Sequence, residues 1–192
     1  MLVAVTKGVA PWAIQQAAAA GVRHFGENRV QEAQAKRPEL LRLAGRVTWH
    51  MVGHLQTNKV KTAIELFDII HSVDSFHLAE AISKRASQAK PVFLEVNVSA
   101  EPAKYGFALD ELPRQHEAIS HLPNVDVQGL MTVAPQAPEP EAVRPVFRRL
   151  REAAESLGLR ELSIGMSDDF ELAVEEGATH VRIGRAVFGE PG

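Results

Sequence analysis

Short apolar runs alternate with longer amphipathic stretches along the whole chain. The runs occupy residues 2–6, 24–26, 47–53, 69–73, 92–98, 127–133, 162–166 and 180–188. Each is brief and rich in Val, Ile, Leu or aromatic residues, as in strands covered on both faces. Helical spacing fills the intervals at 11–20, 29–41, 76–88, 109–121, 139–157 and 169–176. Pro11 stands at a first-turn position, and Ser167, Asp168 and Asp169 offer caps before the last helix. Gly21, Gly158 and Gly177 stand where helices end. Eight strands joined by connections of helical length predict parallel pairing, and eight such strands can close into a TIM (β/α)8 barrel. An open doubly wound sheet competes, but it usually has fewer strands and a Gly-rich first turn. No G-x-G-x-x-G or G-x-x-x-x-G-K-[ST] follows any run, so the barrel is the expected α/β fold. The Pro-rich stretch 134–140 reads as a long loop after the sixth strand.

Composition narrows the function. The chain has 192 residues, 45% hydrophobic and 23% charged, the balance of one ordinary globular domain spanning 1–192. Cys is absent, which excludes disulfides, thiolate zinc sites, iron–sulfur clusters and cysteine nucleophiles. Lys+Arg 21 against Asp+Glu 24 leaves a formal charge of -3, no footprint for nucleic acid and no polybasic patch for a membrane. No run approaches the ~20 apolar residues of a membrane span. The opening residues lack the basic lead-in of a signal peptide, so a cytoplasmic location is expected.

In a barrel the carboxyl ends of the strands build the site. The first run ends at Lys7, which is either a solvated strand end or an amine for a Schiff base, given burial that keeps it partly neutral. The seventh leads through Gly165-Met166-Ser167-Asp168-Asp169 into a helix, a plain cap or an anion site made of a hydroxyl and backbone N–H groups. The eighth carries Arg182, costly to bury without a partner, then Gly184 and Arg185. Phosphate sites after strands seven and eight recur in these barrels, so the two motifs together favour a phosphate. His50 and His54 have a helical metal-pair spacing but lie on a strand-to-loop segment, where it has no such meaning. His71, Ser72 and Asp74 suggest a hydrolase triad, yet no G-x-S-x-G elbow accompanies them. His77, His116 and His121 read as helix-surface residues.

The motifs TK at 6–7, FGEN followed by VQE, WHMVGHLQTNK, HSVD, NVSAEPAKYGF, GLM, GMSDD and VRIGRAVFG occur in one order. The chain thereby resembles, over essentially its entire length, the pyridoxal-phosphate homeostasis protein family, whose members look like the N-terminal barrel domain of alanine racemase standing alone. The resemblance implies that Lys7 holds pyridoxal 5'-phosphate (PLP) as a Schiff base. It places the PLP phosphate on Ser167 and the backbone N–H groups of Gly184 and Arg185, and sets Arg182 at the pyridine nitrogen. Asn28, His50, Asn58 and Met166 fall at pocket positions of the family pattern. Relatives usually carry an N-terminal helix before the lysine strand, whereas here the strand starts at Leu2, which leaves closure of the barrel bottom open. Position 185 is Arg where relatives often place a smaller or neutral residue.

Racemisation needs acid–base groups on both faces of the cofactor. In the racemase the second is a tyrosine of a separate domain, and the single tyrosine here is Tyr105. The leading expectation is a PLP-holding protein of PLP (vitamin B6) and amino-acid homeostasis, acting as a monomer without robust catalysis. Its expected partners are PLP, amino acids and, transiently, PLP-accepting apo-enzymes, with no nucleic acid and no membrane. The alternatives are a weak PLP-dependent amino-acid racemase and a cofactor-free Schiff-base aldolase using Lys7.

Overall fold

The structure is a computed structural model that describes residues 1–135, 137 and 139–189. Positions 136 and 138 of the Pro-rich stretch, and 190–192, lie outside the described residues. Eight strands run in parallel: β1 (Leu2–Val5), β2 (His24–Glu27), β3 (Thr48–Met51), β4 (Ile69–Val73), β5 (Lys90–Glu95), β6 (Val125–Met131), β7 (Glu161–Ser163) and β8 (Val181–Ile183). Their order is β7-β6-β5-β4-β3-β2-β1-β8. The two ends of this sheet meet where Ser163 bridges His180, where Ile164 N–H donates to the His180 carbonyl at 3.1 Å, and where Arg182 N–H donates to the Gly165 carbonyl at 2.9 Å. The strands therefore form the expected, nearly closed barrel.

The helices are α1 (Pro11–Ala19), α2 (Val30–Lys36), α3 (Val60–Leu66), α4 (Phe76–Ser83), α5 (Leu112–Ser120), α6 (Arg144–Ser156), α7 (Phe170–Glu175) and α8 (Arg185–Phe188). Glycines end three of them as the sequence indicates. After α1, Gly21 takes φ 108° and Val22 N–H reaches back to the Ala17 carbonyl at 3.0 Å. Gly158 and Gly177 do the same after α6 and α7. The pattern does not single out α3. The stretch 29–41 is also not one helix: α2 gives way at Arg37 to a 3-10 turn, Arg37–Leu43, where Pro38 removes an amide donor. The run 180–188 divides, because the strand stops at Ile183 and α8 follows Gly184. Asp169 stands at the N-cap of α7, but its carboxylate accepts from Met166 N–H at 2.6 Å instead of capping the helix.

Alternation along the strands separates two interiors. Trp49, Met51, Ile70, Val92 and Leu94 join one apolar core with helix residues such as Ile14, Ala63, Leu78, Ile119 and Phe147. Burying a side chain of this size stabilises by roughly 1.5–3 kcal/mol, so this layer holds helices to barrel. The intervening residues fill the barrel: His71 stacks on Phe93 (4.4 Å between centroids) and meets His50 edge-on.

Candidate functional site

A cavity of about 1100 Å³ opens at the carboxyl ends of the strands. Of the residues singled out in the sequence, Lys7, Asn28, Met166, Ser167, Arg182, Gly184 and Arg185 line it. The other two do not. His50 is fully buried inside the barrel, and Asn58 is exposed on the 3-10 turn Thr57–Lys59.

Because β8 pairs with β1 and meets β7, the segments carrying Ser167, Gly184, Arg185 and Lys7 are neighbours around the barrel. Lys7 is the one lysine among the described residues lining the cavity, and it is exposed toward the opening, not enclosed. Gly165 makes the β7 corner possible. Its φ is 89°, and a Cβ there would stand 2.5 Å from the Ala173 Cβ of α7. The chain beyond it places Ser167 Oγ 3.5 Å from Ala186 N–H, in the first turn of α8. Asp168 pairs with Arg185 at the cavity edge.

Arg182 is buried with a partner set of neutral oxygens. Its guanidinium donates to the Ser163 carbonyl (2.6 Å), the Ser163 hydroxyl (2.7 Å) and the Thr132 carbonyl (2.9 Å). Burial lowers its pKa to about 10, against the pull of Glu95 and Asp169, which still leaves a cation at neutral pH. Behind it runs a chain of rings. Ser163 Oγ lies 2.8 Å from His71, His71 2.8 Å from His50, and His50 3.1 Å from His24. Ser163 Oγ accepts from Arg182, so its own proton is free to go to His71. His71 therefore engages Ser163 and not Ser72, and no His71–Ser72–Asp74 triad forms.

The opposite wall carries Glu95, which has no part in the sequence-based expectations, beside groups that the sequence offered for other roles. Glu95 ends β5 and faces the cavity; burial, then Asp74, raises its pKa to about 7, while Arg182 works the other way. Asp74 Oδ2 sits 3.0 Å from His54 Nδ1, and the His54 ring stacks on Tyr105 at 3.8 Å. His54 and Tyr105 both line the cavity, which places the single tyrosine of the chain at the site. Glu95 was within reach of the strand-end rule, as a lone acid closing an apolar run. Nothing local brings Tyr105 to His54. Asn28 contributes a buried Oδ1 that has no hydrogen-bond partner among the described residues.

The match to known proteins is nearly full-length. Residues 2–191 match the alanine racemase N-terminal domain. A pyridoxal phosphate homeostasis protein of Pseudomonas aeruginosa is 45% identical over 98% of this chain and 83% of its own. The solved PipY of Synechococcus elongatus PCC7942 without PLP superposes at TM-score 0.94, with 43% identity over 98% of this chain and 92% of that one. A second structure of the same protein has PLP bound (TM-score 0.92, 42% identity, the same coverage). The alanine racemase of Clostridium difficile 630 shares the fold alone, at TM-score 0.78 and 15% identity over 98% of this chain and 52% of that one. The chain belongs to the pyridoxal phosphate homeostasis protein family, built on the barrel of the alanine racemase N-terminal domain.

Proposed function

We propose that the protein holds PLP covalently through Lys7 and serves PLP (vitamin B6) and amino-acid homeostasis without robust turnover of its own. The observation that carries this reading is the convergence of Lys7, Ser167, Arg182, Gly184 and Arg185 on one cavity. Relatives named for PLP homeostasis, and PipY solved with PLP bound, support it. The residues present fit the cofactor. A lysine amine, a hydroxyl beside a helix's first turn and a buried cation share one cavity, and the buried Asn28 Oδ1 lacks a donor until a ligand supplies one.

When bound, PLP supplies an aldehyde carbon that joins an amine with loss of water. Lys7 provides that amine. Ser167 and the backbone N–H groups of Gly184 and Arg185 hold the phosphate, and the Arg185 side chain stays engaged with Asp168. Arg182 faces the ring nitrogen as a permanent cation, which disfavours a proton there and weakens the ring as an electron sink. Free amino acids, and apo-enzymes met transiently, are the partners this chemistry suits. A second reading, weak amino-acid racemisation, is favoured by Glu95, whose pKa near 7 suits proton exchange across the cavity from Lys7.

Mass spectrometry of the PLP-loaded, borohydride-reduced protein tests the reading. The label is expected on Lys7, and a label on Lys59, Lys61 or Lys104 would overturn it. Chiral analysis of incubated alanine and serine separates the holder from the racemase.

A further inference from the structure

The FGEN…VQE motif supplies one residue, Asn28, to the cavity; its two glutamates and the lysine that follows are not used there. They converge instead on the backbone around Lys7. Val9 N–H donates to the Thr6 carbonyl at 3.0 Å, closing a four-residue turn with Lys7 and Gly8 at its centre. Gly8 has φ 70°, the value a type II turn requires at that position. The same Thr6 carbonyl accepts from Lys36 Nζ at 2.6 Å, and Gly8 N–H donates to Glu32 Oε1 at 2.6 Å. Lys36 bridges Glu27 (2.8 Å) and Glu32 (2.7 Å), and the Thr6 hydroxyl donates to Glu27 at 2.6 Å. Both neighbours of Lys7 are thus tied to one ionic cluster, while the Lys7 side chain itself is left to the cavity.

The cluster sits in poor solvent. Glu27 is fully buried, and burial pushes its carboxyl up against the pull of Lys36 and Thr6. Burial acts the same way on Glu32, but Lys36 and the Gly8 N–H outweigh it and hold that carboxyl below its usual range. Glu27 Oε2 has no partner among the described residues, and a cavity of about 10 Å³ beside it, lined by Glu27 and Lys36, has room for one water. A buried ion pair is a weak source of stability, because desolvation offsets much of its attraction. What this one does supply is direction: Lys36 and Glu32 of α2 aim at two backbone atoms of the β1–α1 turn, and Glu27 of β2 holds the Thr6 hydroxyl beside them.

We infer that Glu27, Glu32 and Lys36 are positioning residues for Lys7, clamping the turn that presents its amine to an aldehyde ligand. This rests on the reading of Lys7 as the covalent attachment point. Covalent capture depends steeply on placement of the reacting atoms, whereas phosphate anchoring arises on β7 and β8 and does not involve the clamp.

The experiment compares PLP with 4'-deoxypyridoxine 5'-phosphate, which keeps the phosphate and ring but has no aldehyde. In the parent protein PLP is expected to develop a visible absorbance band and to bind more tightly than the deoxy compound. In Lys36→Met the rate of band formation should fall by about tenfold or more while the deoxy compound binds as in the parent. Glu32→Gln, at a partly exposed position, should show the same selective loss in milder form and serves if Lys36→Met does not fold. Parental capture rates and parental preference for PLP in the folded variants would overturn the clamp. A parent that forms no band and shows no preference would instead overturn the Lys7 reading itself.

Discussion

Arg182 is held by two carbonyls and one hydroxyl and, among the described residues, pairs with no carboxylate, so its charge is available to whatever occupies the cavity. If it faces the ring nitrogen, direct repulsion keeps that nitrogen unprotonated. Nitrogen-15 NMR of labelled PLP on the parent protein near neutral pH should show the neutral ring, and Arg182→Gln should raise the nitrogen's pKa. A protonated nitrogen in the parent would refute the assignment. Ser167→Ala removes one hydrogen bond to a charged oxygen, at ~1.5–3 kcal/mol, so PLP affinity should fall roughly ten- to hundredfold with covalent attachment preserved. An unchanged dissociation constant in phosphate-free buffer would remove Ser167 from the phosphate site. Glu95 titrates in the opposite sense to most carboxylates. Its folded-state pKa of about 7 lies above the ordinary 4.5, so the folded protein is favoured at low pH and loses that contribution as pH rises from about 4.5 through 7. Without ligand, Glu95→Gln should therefore be more stable than the parent above pH 7 by up to ~3 kcal/mol, and equal to it below about pH 4.5. Equal denaturant midpoints at about pH 8 would show that Glu95 is not strained.

At the scale of elements, the site depends on how closely adjacent βα turns pack. Gly53, just after β3, lies against the turn after β2: a Cβ there would stand 2.4 Å from the Asn28 carbonyl oxygen and 2.8 Å from its Cα. Those atoms are backbone, so no side chain can swing aside, and one of the two turns has to move. Gly53→Ala should destabilise by roughly 1–3 kcal/mol and should also weaken PLP binding, because Asn28 is displaced from the cavity wall. Thermal denaturation read beside PLP affinity tests both, and parental affinity in the variant would show that the Gly53 contact does not set the place of Asn28. The split of the run 180–188 belongs to this scale too. A strand ending at Ile183 keeps Arg182 inside the barrel, and the immediate start of α8 sets its first turn beside Ser167.

For the whole molecule, the barrel interior sets the response to acid. Burial lowers the pKa of His50 to about 3 and of His180 to about 4, and holds His71 well below 6.5. These depressed values mean that unfolding takes up protons, so the stability they contribute is complete above pH 6.5 and is lost as pH falls. Glu95 opposes them by one proton between about pH 4.5 and 7. Near pH 5.5 the three rings outweigh that single acid, so stability falls as pH falls. Urea denaturation of the ligand-free protein at pH values from about 5 to 6.5 should show steep destabilisation on acidification, and a flat profile would mean that the rings are not buried neutral.

By itself the sequence determined the repeating strand–helix order, the glycine helix ends, the lysine that follows the first strand and the arginine set within the eighth, because these are local: a run of apolar residues, a residue with positive φ, a charge beside or inside an apolar run. Once eight parallel strands are granted, their carboxyl ends must share one face, so Lys7, Ser167, Gly184 and Arg185 could be read as one site from positions far apart in the chain. Which inward residue lies deep and which reaches the cavity was decided only by the closed barrel. The family resemblance puts His50 at a pocket position, but strands buried on both faces carry no alternation that tells depth, and in the structure His50 is the middle ring of a buried chain. Asn58, also a pocket position by resemblance, stands on an exposed turn. The Tyr105–His54 stack and the ties from Glu27, Glu32 and Lys36 to the Lys7 turn join separate βα units, and packing alone brings those units together.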